Sequence, residues 1–149
     1  MASCLCLRLH FYSCYNGHMS SKLKKGKITP NGVVLQTQEN ATAVFLTELG
    51  FNIELIRPSN IKGVHTPDIK MAGLEWEMKA PTGEGKYLMA NTIQRAVKQS
   101  HNVIVDLRHT KRHQTKCLRE LENEFKRSGS LKRLKIITKS GKTLDFEKY

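Results

Sequence analysis

Apolar and polar residues alternate along the chain on both sides of Ala72-Gly73. This pattern predicts a β-hairpin, because successive side chains of a strand point to opposite faces. With a two-residue turn, Met71 pairs with Leu74, and Asp68 lies opposite Glu77. The second strand then has an apolar face and a polar face, formed by Leu74, Trp76 and Met78 and by Glu75, Glu77 and Lys79, respectively.

Two carboxylates that face each other across a hairpin repel, which destabilises the pairing of the strands. The chain carries 25 basic and 13 acidic residues, so it has no evident structural need for Asp68 opposite Glu77. A bound divalent cation would explain why the two carboxylates face each other, because hard cations bind carboxylate oxygens. Lys79 follows Glu77 on the same face and can then reach a substrate phosphate. The alternative is a solvated hairpin face with an ordinary Glu-Lys pair.

The spacing of apolar residues predicts further helices and strands. The helices span residues 34–49, 87–100 and 111–128. The strands outside the first hairpin span residues 51–56, 102–107, 131–139 and 142–147, and the last two form a second hairpin. The uninterrupted apolar run from Val103 to Val105 is typical of a strand buried on both faces. Together with the preceding strand and helix, it predicts a right-handed parallel crossover.

This order of elements predicts an α/β (α+β) domain with a central mixed sheet flanked by helices. The core order is α-β-β-β-α-β, and a C-terminal helix and hairpin are added to it. We assign residues 31–149 to this single domain and residues 1–30 to a disordered basic tail. Residues 1–18 are interpreted as a tag or another non-native segment, because Gly17-His18-Met19 resembles a cloning scar.

The predicted first helix carries an acidic residue beside its apolar side. The apolar residues that recur at helical spacing, and are predicted to face inward, are Ala41, Val44, Phe45 and Leu49. Ala43 and Leu46 make this apolar surface wider. Glu39 borders the side formed by Ala43 and Leu46, and a glutamate beside a buried surface needs a partner. Alternatively, Glu39 is a first-turn acid that interacts favourably with the helix dipole. Glu48 is a competing candidate on the same helix.

Charge and cysteine content narrow the class of protein. The 149 residues carry a formal net charge of +12, which indicates a polyanionic partner, either nucleic acid or an anionic membrane surface. Membrane insertion is not expected, because no apolar run is long enough to span a bilayer. The four cysteines form neither a zinc-binding motif nor a convincing disulfide framework.

The second helix and the segments around it offer candidates for substrate contact. The helix residues are Thr92, Gln94, Arg95 and Lys98, which as exposed residues have solvation as an equally good interpretation. The glycine-containing segment 82–86 lacks the spacing of a phosphate-binding loop and is interpreted as a mobile flap. His109 and His113 have a spacing that places both on one helix face, where phosphate contact or solvent exposure is favoured over zinc.

Asp68, preceded by Pro67 and followed on the next strand by Glu77-Met78-Lys79, resembles the signature of the PD-(D/E)xK nuclease superfamily. The superfamily has the same core order, so the resemblance extends over about residues 34–107. It implies a metal-dependent phosphodiesterase with Asp68 and Glu77 as metal ligands and Glu39 as a third or outer-shell ligand. It also implies that Lys79 acts on the scissile phosphate. The cation would be Mg²⁺, with Mn²⁺ or Zn²⁺ as alternatives.

Longer stretches resemble the C-terminal tRNase domains of contact-dependent growth inhibition toxins. They are Glu39-Asn40 with residues 49–54, then residues 76–83, then residues 92–108. The resemblance implies an endonuclease that cuts tRNA in the cytoplasm of a target cell, after delivery as part of a larger toxin. It also implies a dedicated, acidic immunity protein. Those toxins lie at the tips of very long secreted proteins, and this chain carries no delivery region. We therefore expect an excised domain or a free-standing relative.

Two other functions are consistent with the same residues. One is a DNA endonuclease of the same fold, for repair or junction resolution, because attraction to phosphates carries little information about the sugar. The other is a non-catalytic basic RNA-binding protein, for which the carboxylates would be dispensable. If the RNA 2′-hydroxyl is the nucleophile, a histidine or lysine base replaces much of the metal's role.

Overall fold

The computed structural model describes residues 23–149, which contain three helices and seven strands. The helices are α1 at Thr37–Glu48, α2 at Leu88–Ala96 and α3 at Gln114–Arg127. The strands are β1 at Ile28–Thr29, β2 at Ile53–Leu55, β3 at Ile69–Met71, β4 at Leu74–Lys79, β5 at Asn102–Asp106, β6 at Arg133–Ile137 and β7 at Thr143–Glu147. The tag-like segment and most of the predicted tail therefore lie outside the described residues.

The seven strands of residues 23–149 form one mixed sheet, in which each strand neighbours the next one along the chain. The pairs β1–β2, β4–β5 and β5–β6 are parallel, whereas β2–β3, β3–β4 and β6–β7 are antiparallel. The predicted mixed fold class is confirmed, including the parallel arrangement of β4 and β5 on either side of α2. From α1 to β5 the elements follow the predicted order, and α3, β6 and β7 form the added part.

Apolar clusters cover both faces of the sheet. On one face, α1 packs Ala43 and Leu46 against strand residues that include Ile53, Ile69, Trp76 and Met78. On the other face, α2 and α3 pack against β5 and β6 through residues that include Met89, Ile93, Leu121, Phe125, Leu134 and Ile136. β5 contributes Ile104 to the first cluster and Val103 and Val105 to the second. It is thus buried on both faces, as its apolar run predicts.

The β3–β4 hairpin has the predicted two-residue turn. Met71 pairs with Leu74, and the turn residues have positive φ, 51° at Ala72 and 76° at Gly73. Positive φ at both central residues suits the right-handed twist of the flanking strands. β4 then changes partner, because residues 74–76 pair with β3 whereas residues 77–79 pair with β5. Glu77 lies at this change of partner.

The buried side of α1 differs from the predicted one. Thr42 and Thr47 are buried beside Ala43 and Leu46, whereas Val44 is 36% exposed. The threonines are compatible with burial because their hydroxyls donate hydrogen bonds, Thr42 to the Asp106 carboxylate and Thr47 to the carbonyl of Val44. Counting apolar residues alone therefore selects part of the wrong helix side.

The limit of the predicted tail and the start of α3 also differ from the sequence-based expectation. Ile28 and Thr29, within the segment assigned to the tail, pair with Ile53 and Glu54 and belong to the sheet as β1. α3 begins only at Gln114, so the spacing of the two preceding histidines does not place them on one helix face. Both His109 and His113 are exposed.

Two further sequence-based expectations concern membrane insertion and the cysteines. Within residues 23–149, none of the helices combines the length and apolarity that crossing a bilayer requires. Cys117 is a free thiol buried in α3. The other three cysteines lie outside the described residues.

Candidate active site

The hairpin places the carboxyl groups of Asp68 and Glu77 side by side. The backbone N–H of Asp68 donates to the carbonyl of Trp76 at 3.1 Å, which continues the strand pairing past Ile69. The Oδ2 of Asp68 accepts a hydrogen bond from the backbone N–H of Met78 at 2.7 Å. These two bonds hold the Asp68 carboxylate beside that of Glu77, with which it interacts electrostatically.

Glu77 is an almost fully buried acid, with 1% of its surface exposed. Its Oε1 accepts hydrogen bonds from Nζ of Lys79 and, at 2.6 Å, from Nε2 of Gln99. Its Oε2 is buried and has no hydrogen-bond partner among residues 23–149. Burial raises the pKa of Glu77 from 4.5 to about 7, against the effect of Lys79 and with a contribution from the Asp68 charge.

The unpartnered oxygen of Glu77 has chemical consequences, because a buried acceptor without a partner is energetically costly. Protonation of the carboxyl group lowers this cost because it removes the charge, and the protonated form of Glu77 dominates below the raised pKa. At higher pH, two adjacent carboxylates with a free oxygen form a donor set that suits a hard divalent cation. Asp68 and Glu77 are therefore the residues that could hold a metal, and the nearby ammonium of Lys79 could contact an anion bound to it.

Glu39 lies near this pair but takes part in the structure of α1. It occupies the first turn, and its Oε2 accepts a hydrogen bond from the backbone N–H of Gln36 at 3.3 Å, as in a capping box. Within residues 23–149, no three His, Cys, Asp or Glu side chains converge closely enough to form a metal site. The structure thus does not gather Glu39 with Asp68 and Glu77 as a set of three ligands. Its role as a ligand stays a prediction.

Two clefts open beside these residues, and Glu39 lines both. One has a volume of about 210 Å³ and is also lined by Lys79, Thr92 and Pro81. The other has a volume of about 260 Å³, and its wall includes His65, Thr66, Asp68 and Gln99. A ligand that occupied both clefts would contact the hairpin carboxylate and the lysine at the same time.

The four predicted substrate contacts on or just after α2 are placed differently from one another. Thr92 is 9% exposed, donates its hydroxyl to the carbonyl of Leu88 at 2.7 Å and lines the smaller cleft. Gln94, Arg95 and Lys98 are exposed and line neither of the two clefts. Glu48, the competing acid on α1, and Glu75, on the predicted polar face of β4, are exposed as well.

Two polar residues with buried hydrogen bonds, one at the site and one beside α1, were not predicted from the sequence. Gln99 binds Glu77 across 22 residues of sequence. Asp106, at the end of β5, is fully buried and accepts hydrogen bonds from Arg108 at 2.7 Å and from Thr42 of α1 at 2.7 Å. Burial tends to raise the pKa of Asp106, but the hydrogen bonds from Arg108 and Thr42 outweigh it and lower the pKa. This network fastens α1, which carries Glu39, to the sheet.

The segment interpreted as a mobile flap is tied down at several backbone carbonyls. Thr110 donates its hydroxyl to the carbonyl of Gly83 at 3.0 Å. Arg112 donates to the carbonyls of Gly85 and Lys86 at 2.6 and 2.8 Å. The same guanidinium pairs with Glu120 of α3 at 2.6 Å, so α3 and the preceding turn hold this segment beside the smaller cleft.

Comparison with known proteins shows the family of the chain and a structure with a similar fold. Residues 65–143 match the family described as the contact-dependent growth inhibition CdiA C-terminal domain, a stretch that includes the whole hairpin but not Glu39. The fold is similar to that of a chain in the CdiA-CT/CdiI toxin and immunity complex from Burkholderia pseudomallei, with a TM-score of 0.62 and 19% identity. The superposition covers 82% of this chain and 99% of that chain. None of the curated proteins matches the chain. Because the matched residues make up more than half of the sequence, the chain belongs to the CdiA C-terminal domain family of contact-dependent growth inhibition.

Proposed function

We propose that this chain is a growth-inhibiting toxin domain of the PD-(D/E)xK type that cleaves RNA, with tRNA as the favoured substrate. One observation carries the proposal. The carboxylate of Glu77 is buried beside that of Asp68, bonds to Lys79 through one oxygen and leaves the other oxygen without a partner. Most buried carboxylates have both oxygens hydrogen-bonded, so this arrangement favours a site that takes up a further cation.

The chemistry follows from the charge of the substrate. A phosphodiester is anionic and repels nucleophiles, and a bound divalent cation would neutralise that charge, acidify a water molecule and hold the leaving oxygen. Asp68 and Glu77 would hold the cation. Lys79, whose side chain is 27% exposed, would contact the scissile phosphate and stabilise the charge that develops in the transition state. Glu39, which accepts a hydrogen bond from the backbone of Gln36, lines both clefts and would be a third or more distant ligand of the cation.

Family membership and charge support the toxin and the polyanionic substrate. The net charge of +12 favours a partner rich in phosphates. A non-catalytic RNA-binding protein would not require a buried, unsatisfied carboxylate beside a second acid. A DNA endonuclease of the same fold would use the same carboxylates, so a cleavage assay must include DNA beside tRNA.

The same comparison supports a proposal for the partner and the place of action. The similar structure is described as a complex of a toxin with its immunity protein. We propose a corresponding immunity protein for this chain, acidic because its target is strongly basic. We also propose that the domain reaches the cytoplasm of a target cell as part of a larger toxin.

The test is a cleavage assay on purified protein, with total tRNA and with plasmid DNA, in magnesium and in chelator. We expect discrete tRNA fragments only in the presence of magnesium. Replacing Lys79 with alanine should lower the rate about 10²- to 10³-fold while RNA binding largely persists, because the lysine stabilises transition-state charge. Lys70→Ala is the matched control, since this lysine is exposed on the same hairpin.

Each other outcome of this assay has a defined meaning. Full activity of Lys79→Ala would contradict the assigned site. Cleavage of DNA with intact tRNA would move the substrate from RNA to DNA. If neither nucleic acid were cut, the proposed nuclease would be wrong and a basic binding protein would take its place.

A further inference from the structure

We propose that Gln99 is a positioning residue for the reaction, which fixes the Glu77 carboxylate so that its Oε2 stays free to bind a cation. This inference rests on the proposed function. Gln99 follows α2, and its Nε2 donates to the Oε1 of Glu77 at 2.6 Å. Lys79 donates to the same oxygen, so both donors act on Oε1 and neither occupies Oε2.

The two donors are not equivalent. Lys79 is a flexible cation with three rotatable donors, and its side chain is 27% exposed, so contact with a phosphate competes with its contact to Glu77. The planar carboxamide of Gln99 carries no charge and has no such competing attraction. When Lys79 engages the substrate, Gln99 is the donor that keeps the orientation of the carboxylate.

The backbone around Gln99 is fastened to the strand that carries Glu77. The N–H of Gln99 donates to the carbonyl of Ala96 at 2.9 Å, which continues the last turn of α2. The hydroxyl of Ser100 and the amide of Asn102 both donate to the carbonyl of Glu75, at 2.9 and 3.0 Å. These bonds attach the connection between α2 and β5 to β4 at Glu75, two residues before Glu77. They therefore set the distance between the Gln99 carboxamide and the Glu77 carboxylate.

The surroundings of Gln99 fit a role at the site rather than one in the core. The residue is half-buried and lines the larger cleft together with Glu39 and Asp68. Its bond to a buried carboxylate is of the charge-assisted kind, which is about twice as strong as a bond between neutral groups. Loss of that bond would let the Glu77 side chain rotate and would withdraw Oε2 from Asp68.

The first measurement is magnesium binding by calorimetry, without RNA, on wild-type protein and on Gln99→Leu. We expect the affinity to fall about tenfold or more, as is typical when a residue that orients a ligand is removed. Asn91→Leu is the control, because it removes an exposed amide from α2 itself and should leave the affinity unchanged. Unchanged affinity in Gln99→Leu would overturn the proposal.

The second measurement separates kcat from KM on a tRNA that the wild-type protein cleaves. Gln99→Leu should lower kcat about tenfold to a hundredfold with little change in KM, because the hydrogen bond serves the carboxylate and not substrate binding. Gln99→Met keeps a side chain of similar length but lacks the N–H donor, and it should be at least as impaired. Wild-type kcat in Gln99→Met would mean that the residue only fills space, and the proposal would fall.

The two measurements distinguish failure of this inference from failure of the proposed function. If the wild-type protein binds magnesium but cleaves no RNA, the nuclease is wrong, and calorimetry alone decides the role of Gln99. If it cleaves RNA without binding magnesium, Oε2 serves no cation, and this inference is wrong although the nuclease stands. If it does neither, Gln99 has no reaction to serve and the proposal is wrong.

Discussion

Two buried acids on neighbouring strands have opposite environments. Asp106 on β5 is fully buried, and Arg108 and Thr42 donate hydrogen bonds to it. Glu77 on β4 is 1% exposed, yet its Oε2 has no partner within residues 23–149. The pKa of Asp106 is lowered by its donors, whereas the pKa of Glu77 is raised to about 7, chiefly by burial.

The difference shows that burial of a charged residue is not by itself a sign of function. Asp106 is compensated, and its contacts join α1 to the sheet, so its role is accounted for by the fold. Glu77 lies next to a second acid, and only one of its two carboxylate oxygens has hydrogen-bond partners within residues 23–149. Unsatisfied burial, and not burial, therefore identifies the candidate active site.

The largest effect that separates the two acids is expected in catalysis. Glu77→Gln keeps the shape of the side chain but removes the charge that would hold a cation. We expect the rate of tRNA cleavage to fall about 10²- to 10³-fold, with a melting temperature at pH 7.5 equal to or above that of the wild type. Initial rates and thermal unfolding on the same preparation test this. A Glu77→Gln protein with the wild-type rate would remove the distinction between the two acids.

The second effect concerns stability and is expected at Asp106 rather than at Glu77. Asp106→Asn breaks a buried ion pair and leaves Arg108 without its counter-charge, so we expect a loss of about 3 kcal/mol in the free energy of unfolding. Glu84→Gln, at an exposed position, should change it by less than about 0.5 kcal/mol. Urea unfolding of both variants gives the comparison. A loss at Asp106 no greater than that at Glu84 would show that the network does not stabilise the fold.

The third effect is a slope of stability against pH, which over one pH unit is smaller than the loss expected at Asp106. The folded protein retains a proton on Glu77 up to about pH 7, whereas the unfolded chain loses it near its ordinary pKa of 4.5. The stabilisation is therefore complete below pH 4.5 and is lost as the pH rises towards 7, by at most about 1.4 kcal/mol for each pH unit. Unfolding of the metal-free wild type and of Glu77→Gln between pH 5 and pH 8 tests this. Parallel curves for the two proteins would contradict the raised pKa.

Local patterns predicted the hairpin and the crossover because those features depend on short-range periodicity. Alternation on both sides of Ala72-Gly73 defines the register, and the register alone places Asp68 opposite Glu77. β1 escaped prediction because two residues have no period, and its pairing with Ile53 depends on a distant part of the chain. The buried side of α1 was partly wrong because Thr42 is buried through a bond to Asp106, 64 residues away.

The same limit applies to the candidate site. The acids of the hairpin and Lys79 are close in sequence, so their shared face follows from strand geometry. Gln99 looks like any polar residue at the end of a helix, and nothing in the sequence around it indicates a bond to Glu77. The Asp106-x-Arg108 pair at the end of an apolar strand was a usable signal, because a buried acid requires a compensating cation. The ligand role of Glu39 stays a prediction.

The hairpin also has a consequence for the order in which the molecule folds. Asp68 and Met78 are 10 residues apart, whereas the contact that anchors α1 to β5 spans 64 residues. Short loops close at a smaller entropic cost, and isolated hairpins form within roughly 1–10 μs. We therefore expect the two repelling acids to meet early in folding, before α1 brings Glu39 to the clefts. The two acids of the candidate site thus come together first, and the walls of the clefts form last.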